Sequence, residues 1–177
     1  TPEPRSGNAA MRVTDVPAGM MNAVGLMNMG IEAFLGDIVP GLGDRGTVFI
    51  GSAAGHCVED YVQVAAAFDS IESLPLIELN LSCPNSSTGR RFTDGPAELA
   101  EVVAEVRAAV TGTRLLVKLP LLFETAVPMA AAAIEAGADG LTMINTVPAL
   151  SIDVHSRSSR LGFGHGGLSG PAVHLPA

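Results

Sequence analysis

The stretch Ile77-Glu78-Leu79-Asn80-Leu81-Ser82-Cys83-Pro84-Asn85 runs from an apolar strand directly into a polar loop. Alternation along a strand places its leucines on one face and Asn80 on the other. Pro84 cannot donate a ladder hydrogen bond, so the strand ends at this point with the Cys83 thiol at its carboxyl end. In parallel α/β proteins, binding and chemistry are located at the carboxyl ends of strands. The stretch therefore predicts a polar site at the end of a buried strand.

Short apolar runs alternate with helix-period segments on both sides of this stretch. The predicted strands are 47–53, 76–82, 115–119 and 140–146. The predicted helices are 58–68, a segment from Asp94 and Pro96 to Val110, 125–136 ending at Gly137, and one beginning at Ser169 and Pro171. Alternation of helices with nearly all-apolar strands predicts a parallel sheet covered by helices.

The predicted fold class is α/β, with the architecture of a partial TIM (β/α)8 barrel. A complete barrel needs about 200 residues or more, and this chain has 177. The barrel interpretation therefore implies a fragment that lacks the first and last strands. A small, open, doubly wound sheet is the alternative that periodicity leaves open. We predict a single domain over 1–177, with loops over the barrel mouth in 1–46 and strand–helix repeats in 47–177.

Composition narrows the class of protein. The chain is 47% hydrophobic, which is typical of a globular domain, and its net charge of −8 argues against nucleic-acid binding. No apolar run is long enough to span a bilayer. The two cysteines are too few for a disulfide framework and favour a reducing, cytoplasmic location.

Cys83 is the first candidate for chemistry, because a thiol can act as nucleophile, metal ligand or general base. A cysteine is more often a small buried hydrophobe, but the polar setting at a strand end favours a functional role for this one. The four histidines show no metal-ligand spacing with either cysteine, so no metal site is predicted.

Asparagines and one lysine form the second set of candidates. Asn80, Asn85 and Asn145 lie at strand ends, and Asn22 lies in the glycine-flanked stretch 19–26. Their amides suit a planar ligand such as a pyrimidine or a flavin edge, although asparagines also form turns and caps. Lys118, within an apolar strand, either stabilises negative charge on a cofactor or substrate or extends to the sheet rim.

A glycine-rich stretch, 164–170, precedes the last predicted helix. Backbone N–H groups before a helix can bind anions, but such turns are also common without a ligand. We therefore treat this stretch as a weak candidate for an anion site.

Five segments together resemble the dihydroorotate dehydrogenase family, in one collinear order: 19–26, 80–85, 117–119, 136–146 and 166–172. The resemblance implies an FMN-binding TIM barrel that oxidises dihydroorotate to orotate in de novo pyrimidine biosynthesis. Cysteine at the position of the base implies the cytosolic class 1. The residues of 19–26 and 139–146 are closer to the NAD-linked type.

The resemblance also implies roles for individual residues. Cys83 would act as the general base that takes the C5 proton while hydride leaves C6 for FMN. The residues implied to line the substrate are Asn22, Ala23, Val24, Gly25, Leu26, Asn80, Asn85, Asn145 and Thr146. Those implied to contact FMN are Ser52, Asn80, Lys118, Ile144 and Gly170. Ser52 stands where the family carries an asparagine, so the flavin contact there is in question.

The partners implied are the small molecule dihydroorotate, a second copy of the chain as a homodimer, and a subunit carrying FAD and an iron-sulfur cluster. Neither nucleic acid nor a membrane is expected as a partner. We expect the 177-residue chain alone to be inactive. The alternatives are a related flavoprotein that acts on another dihydropyrimidine, and an inactive, truncated half-barrel.

Overall fold

The computed structural model describes residues 1–17, 19–43, 45–81, 91–122 and 124–174, which fall into two compact units. The first unit comprises residues 1–4 and 29–145, and the second comprises residues 5–28 and the chain from Thr146 onward. Because compact units need not be separate domains, the single-domain organisation stays a prediction.

Short strands and helices, numbered in chain order, form the framework of the described residues. The strands are β1 (Val13–Val16), β2 (Gly19–Asn22), β3 (Ile50–Ala53), β4 (Leu76–Asn80), β5 (Arg114–Leu119), β6 (Gly140–Met143), β7 (Val147–Ala149), β8 (Ile152–Asp153), β9 (Ser158–Ser159) and β10 (Gly166–Ser169). The helices are α1 (Ile31–Ala33), α2 (Val58–Asp69), α3 (Pro96–Ala109), α4 (Ala126–Glu135) and α5 (Pro171–His174). A π turn, Phe34–Ile38, and a 3₁₀ turn, Val39–Gly41, follow α1.

A parallel four-stranded sheet in the order β3-β4-β5-β6 forms the first unit, with α2, α3 and α4 as the connections. One face of the sheet is buried in its two central strands, where Ile77, Leu79 and Val117 are each 0% exposed. The helices cover this face with side chains at helical spacing, such as Leu99 and Val103 of α3. This is part of a (β/α)8 barrel, as predicted, and the open doubly wound alternative is set aside.

Three predicted strands are shorter than expected. The strand predicted over 76–82 ends at Asn80. The strand predicted over 47–53 begins only at Ile50, because its neighbour β4 begins at Leu76, directly opposite Ile50. The strand predicted over 140–146 ends at Met143. The chain then leaves the parallel sheet, and Val147–Ala149 pairs antiparallel with β10.

The second unit contains an antiparallel sheet in the order β1-β2-β10-β7. The prediction of loops throughout 1–46 is wrong for β1 and β2 and for the helical segment 31–41. The two strands were missed because the strand that pairs with β2 lies far along the chain at 166–169. The interpretation of the glycine-rich stretch as a turn is also wrong for 166–169, and the anion site before the helix stays a prediction. Gly166–Ser169 is a strand between β2 and β7, so the sheet pairing uses its backbone groups.

Gly167 shows why this strand needs glycine. A Cβ at this position would overlap the side chain of Thr146.

The small core of the unit is built from Met21, Ala23 and Leu161. Among the described residues, no helix is long and apolar enough to cross a membrane.

Asp69, the last residue of α2, fastens the loop that leads into β5. Its carboxylate accepts the backbone N–H groups of Thr111, Gly112 and Thr113 at 2.9, 3.1 and 2.7 Å. These hydrogen bonds, that of Thr111 foremost, lower the pKa of Asp69 from 3.8 to about 2. The ionised carboxylate therefore stabilises the fold above pH 4 and loses this effect as pH falls towards 2.

We expect the Asp69→Asn variant of the full-length protein to lose about 1 kcal/mol of unfolding free energy at pH 7, after allowance for solvent screening. The difference from wild type should shrink as pH falls from about 4 to about 2, because the wild-type carboxyl then becomes protonated. Urea denaturation at several pH values measures this. Glu72→Gln, which removes a nearby exposed carboxylate, is the control. An equal loss of unfolding free energy in both variants would contradict a stabilising role for the Asp69 hydrogen bonds.

Candidate active site

The face of the parallel sheet that points away from the helices carries polar side chains. Ser52 pairs in register with Glu78, and Asn80 pairs with Lys118, which in turn pairs with Thr142. In parallel strands, paired residues point to the same face. Four neighbouring strands therefore place their polar residues together, towards the carboxyl ends.

Glu78 joins three of these strands. Its Oε2 accepts the Thr142 hydroxyl at 2.8 Å, and its Oε1 lies 3.6 Å from the Lys118 ammonium nitrogen Nζ. The side chains of Lys118 and Glu78 are 27% and 17% exposed. Sequence reasoning gave neither Glu78 nor Thr142 a site role. The two-residue period of a strand could have identified Glu78, because it places Glu78 on the same face as Asn80. Thr142 shares the face of Lys118 because the two residues are paired in register.

Two amides meet at the ends of β4 and β6. The Asn145 side-chain Nδ2 donates to Asn80 Oδ1 at 3.1 Å. The backbone on both sides is held as well, because the Asn145 N–H donates to Leu119 O at 2.8 Å and the buried Tyr61 hydroxyl donates to Asn80 O at 2.9 Å. The two amides therefore present donors and acceptors from fixed positions.

The stretch 22–26 belongs to the second unit, where Asn8 holds it. Asn8 Nδ2 donates to Ala23 O and the Asn8 N–H donates to Val24 O, both at 3.0 Å. Gly25 and Leu26 have left-handed backbones, with φ of 75° and 53°. A leucine rarely adopts such a φ, and strain of this kind is concentrated at functional sites.

The structure brings together only part of the predicted site. Asn80, Lys118 and Asn145 lie on one sheet face of the first unit, with an exposed Ser52 on the neighbouring strand and a half-buried Ile144 beside Asn145. Thr146, Gly170 and the stretch 22–26 belong to the second unit. Cys83 and Asn85 lie outside the described residues. The roles of all these residues stay predictions.

An open pocket of about 650 Å³ occurs elsewhere in the first unit. Leu35, Val39 and Ile71 contribute to its lining, together with the loop that precedes β4. The pocket therefore lies towards the amino end of β4, and Glu78, Asn80 and Lys118 do not line it. Polar side chains at the carboxyl ends are the better basis for a site in this architecture.

The fold defines the chain as part of a (β/α)8-barrel protein, and this polar face is a candidate site at the carboxyl ends of the strands. The model of the family described as dihydroorotate dehydrogenase matches residues 1–177. The chain therefore belongs to the dihydroorotate dehydrogenase family.

Individual relatives agree with the family match. The chain is 44% identical over 176 residues to the dihydroorotate dehydrogenase B (NAD(+)) catalytic subunit of Desulforudis audaxviator, covering 98% of this chain and 56% of the relative. It is 43% identical over 177 residues to the subunit of the same name from Geobacillus kaustophilus, covering 98% and 55%. It is also 42% identical over 172 residues to a protein of Solibacter usitatus provisionally named dihydroorotate dehydrogenase A (fumarate), covering 97% and 56%. The chain thus spans about half the length of these curated relatives.

Proposed function

We propose that the protein to which this chain belongs is a class 1, FMN-dependent dihydroorotate dehydrogenase that oxidises dihydroorotate to orotate. The observation that carries the proposal is the Asn80–Asn145 amide pair, 3.1 Å apart, on the same sheet face as Lys118. Family membership adds to this observation and directs the proposal to dihydroorotate.

The donor set on this face fits both a pyrimidine and a flavin. Amide side chains match ring edges on which C=O and N–H groups alternate. A lysine ammonium suits a ring that gains negative charge on reduction. Asn80 and Lys118, with Ser52, Ile144 and Gly170, are the residues that we propose hold FMN. When bound, FMN supplies the acceptor for the hydride from C6.

The residues of the chain bind the substrate and move its proton. We propose that Asn80, Asn85 and Asn145 hold the ring of dihydroorotate by its C=O and N–H groups. Thr146 and the stretch 22–26 complete the lining in this proposal. Cys83 takes the proton from C5, and a base works best when its pKa lies near the working pH.

We further propose the NAD-linked type, with a partner subunit that carries FAD and an iron-sulfur cluster. The B (NAD(+)) names of the Desulforudis and Geobacillus relatives support this assignment, while the fumarate-linked name of the Solibacter relative points to the other type. A cytoplasmic homodimer of catalytic subunits is part of the same proposal and is drawn from the resemblance to class 1. Comparing NAD(+) and fumarate as electron acceptors tests the type.

The activity is tested on the full-length protein with dihydroorotate and, separately, with dihydrouracil. We expect FMN to co-purify, with its absorption bleached by dihydroorotate under anaerobic conditions. Turnover of dihydrouracil alone would replace our proposal with a related flavoprotein, since the same amides can hold a uracil-like ring. The 177-residue chain by itself should show no flavin band, and a band would contradict its expected inactivity.

A further inference from the structure

We propose that Glu78 is a positioning residue that holds the Lys118 ammonium on the sheet face and moderates its charge towards the bound flavin. This inference rests on the proposed function, because it concerns the redox equilibrium of FMN. Nothing in the resemblance assigned a role to Glu78. The evidence is its contacts with β5 and β6.

The first step is the geometry of the carboxylate. Glu78 lies on β4 two residues before Asn80, and Lys118 on β5 lies opposite Asn80. Glu78 therefore reaches diagonally to Lys118 and onward to Thr142 on β6. The Thr142 hydroxyl donates a hydrogen bond to Glu78 Oε2 at 2.8 Å. The other carboxylate oxygen, Oε1, lies 3.6 Å from Lys118 Nζ.

The second step is what the pair does to the lysine. A lysine has a flexible four-carbon stem and holds no fixed direction by itself. A carboxylate fixed by Thr142 gives the ammonium one preferred position. The side chains of Glu78 and Lys118 are mostly buried, at 17% and 27% exposure, so solvent screens the pair less than it would at the surface.

The third step is the effect on a neighbouring ring. Lys118 favours negative charge on a ring beside it, and the Glu78 carboxylate opposes that effect. Removing the carboxylate charge should therefore favour reduction of the flavin, whereas removing the ammonium should disfavour it. Opposite signs for two contacting residues are not expected if Glu78 serves only to support the fold.

The test uses the FMN-loaded full-length protein and measures the two-electron reduction equilibrium of the flavin. In Glu78→Gln we expect the equilibrium to shift about tenfold towards the reduced form, or about 30 mV. Lys118→Met should shift it in the opposite direction. Glu135→Gln, at an exposed position on α4, is the charge-matched control and should leave the equilibrium unchanged.

A second measurement does not need the flavin. Lys118 is the only lysine in this chain, and its acylation by an amine-reactive reagent can be followed in the apoprotein by mass spectrometry of its peptide. Both Glu78→Gln and Thr142→Val should speed its labelling several-fold, and Glu135→Gln should not. Thr142→Val keeps the Glu78 carboxylate, so its labelling rate still tests the inference if the Glu78→Gln variant does not fold.

The outcomes separate the two proposals. A wild-type protein that neither binds FMN nor oxidises dihydroorotate would overturn the proposed function and the redox role of Glu78 with it. The labelling rates would still report whether Glu78 holds Lys118. A functional wild type whose flavin equilibrium and labelling rate are both unchanged by Glu78→Gln would overturn the inference alone.

Discussion

Replacing Cys83 with serine in the full-length protein should slow flavin reduction by dihydroorotate by about 10²–10⁴-fold at neutral pH. A serine hydroxyl holds its proton far more tightly than a thiol, so it is a poor proton acceptor at this pH. The rate should recover as pH rises, since more of the base is then available. Anaerobic stopped-flow measurements of flavin absorption across neutral and alkaline pH provide the test.

Cys57 offers the matched control for this substitution. It is the other cysteine of the chain and precedes α2, and burial raises the pKa of its thiol. Cys57→Ser should therefore leave both the rate and its pH profile unchanged. A Cys83→Ser protein with the wild-type rate would show that Cys83 is structural and that another group removes the C5 proton.

Replacing Asn80 with alanine should lower kcat for dihydroorotate by about 10²–10³-fold, the loss typical of removing one well-placed hydrogen-bond donor. The change removes the Asn80 amide and the acceptor for Asn145 Nδ2, 3.1 Å away. Because the two amides act as a pair, Asn145→Ala should lower kcat much less in the Asn80→Ala variant than in the wild-type protein. Steady-state kinetics of the two single variants and the double variant measure this coupling.

Gln63→Ala, at an exposed position on α2, is the control for loss of an amide in general. Its kcat should equal that of wild type. FMN content and thermal stability are measured in parallel, so that a drop in kcat is not confused with loss of cofactor or of the fold. Additive effects of the Asn80 and Asn145 substitutions would contradict a shared role.

The parallel part of the fold could be predicted because its signals are local. The spacing of Leu99, Val102, Val103 and Val106 predicted the buried face of α3, and these residues are all 0% exposed. Gly137 was predicted to end α4 and has a left-handed φ of 107°, which is typical of a helix C′ residue. Asn80 and Lys118 could be identified as candidates because a polar residue within an apolar strand is unusual.

The antiparallel sheet could not be predicted in the same way. β1 and β2 were predicted as loops because they are short and lie among Pro, Gly and Asn residues, and because β2 pairs with a strand at the other end of the chain. Gly166-Gly167 resembled a turn, yet it is a strand because it pairs with β2 and β7. Glycine is needed at 167 because Thr146 leaves no room for a Cβ. Such pairings depend on contacts between residues that are distant in sequence, and local propensity does not predict them.

The same division applies to the site. Residue types and strand period were sufficient to predict a parallel sheet covered by helices and to select Cys83, Asn80, Asn145 and Lys118, because hydrophobic period and turn chemistry act over a few residues. Only the tertiary structure decided that Glu78 bridges Lys118 and Thr142, and that Asn145 donates to Asn80. These contacts follow from the register between β4, β5 and β6, which packing of the whole sheet against its helices determines.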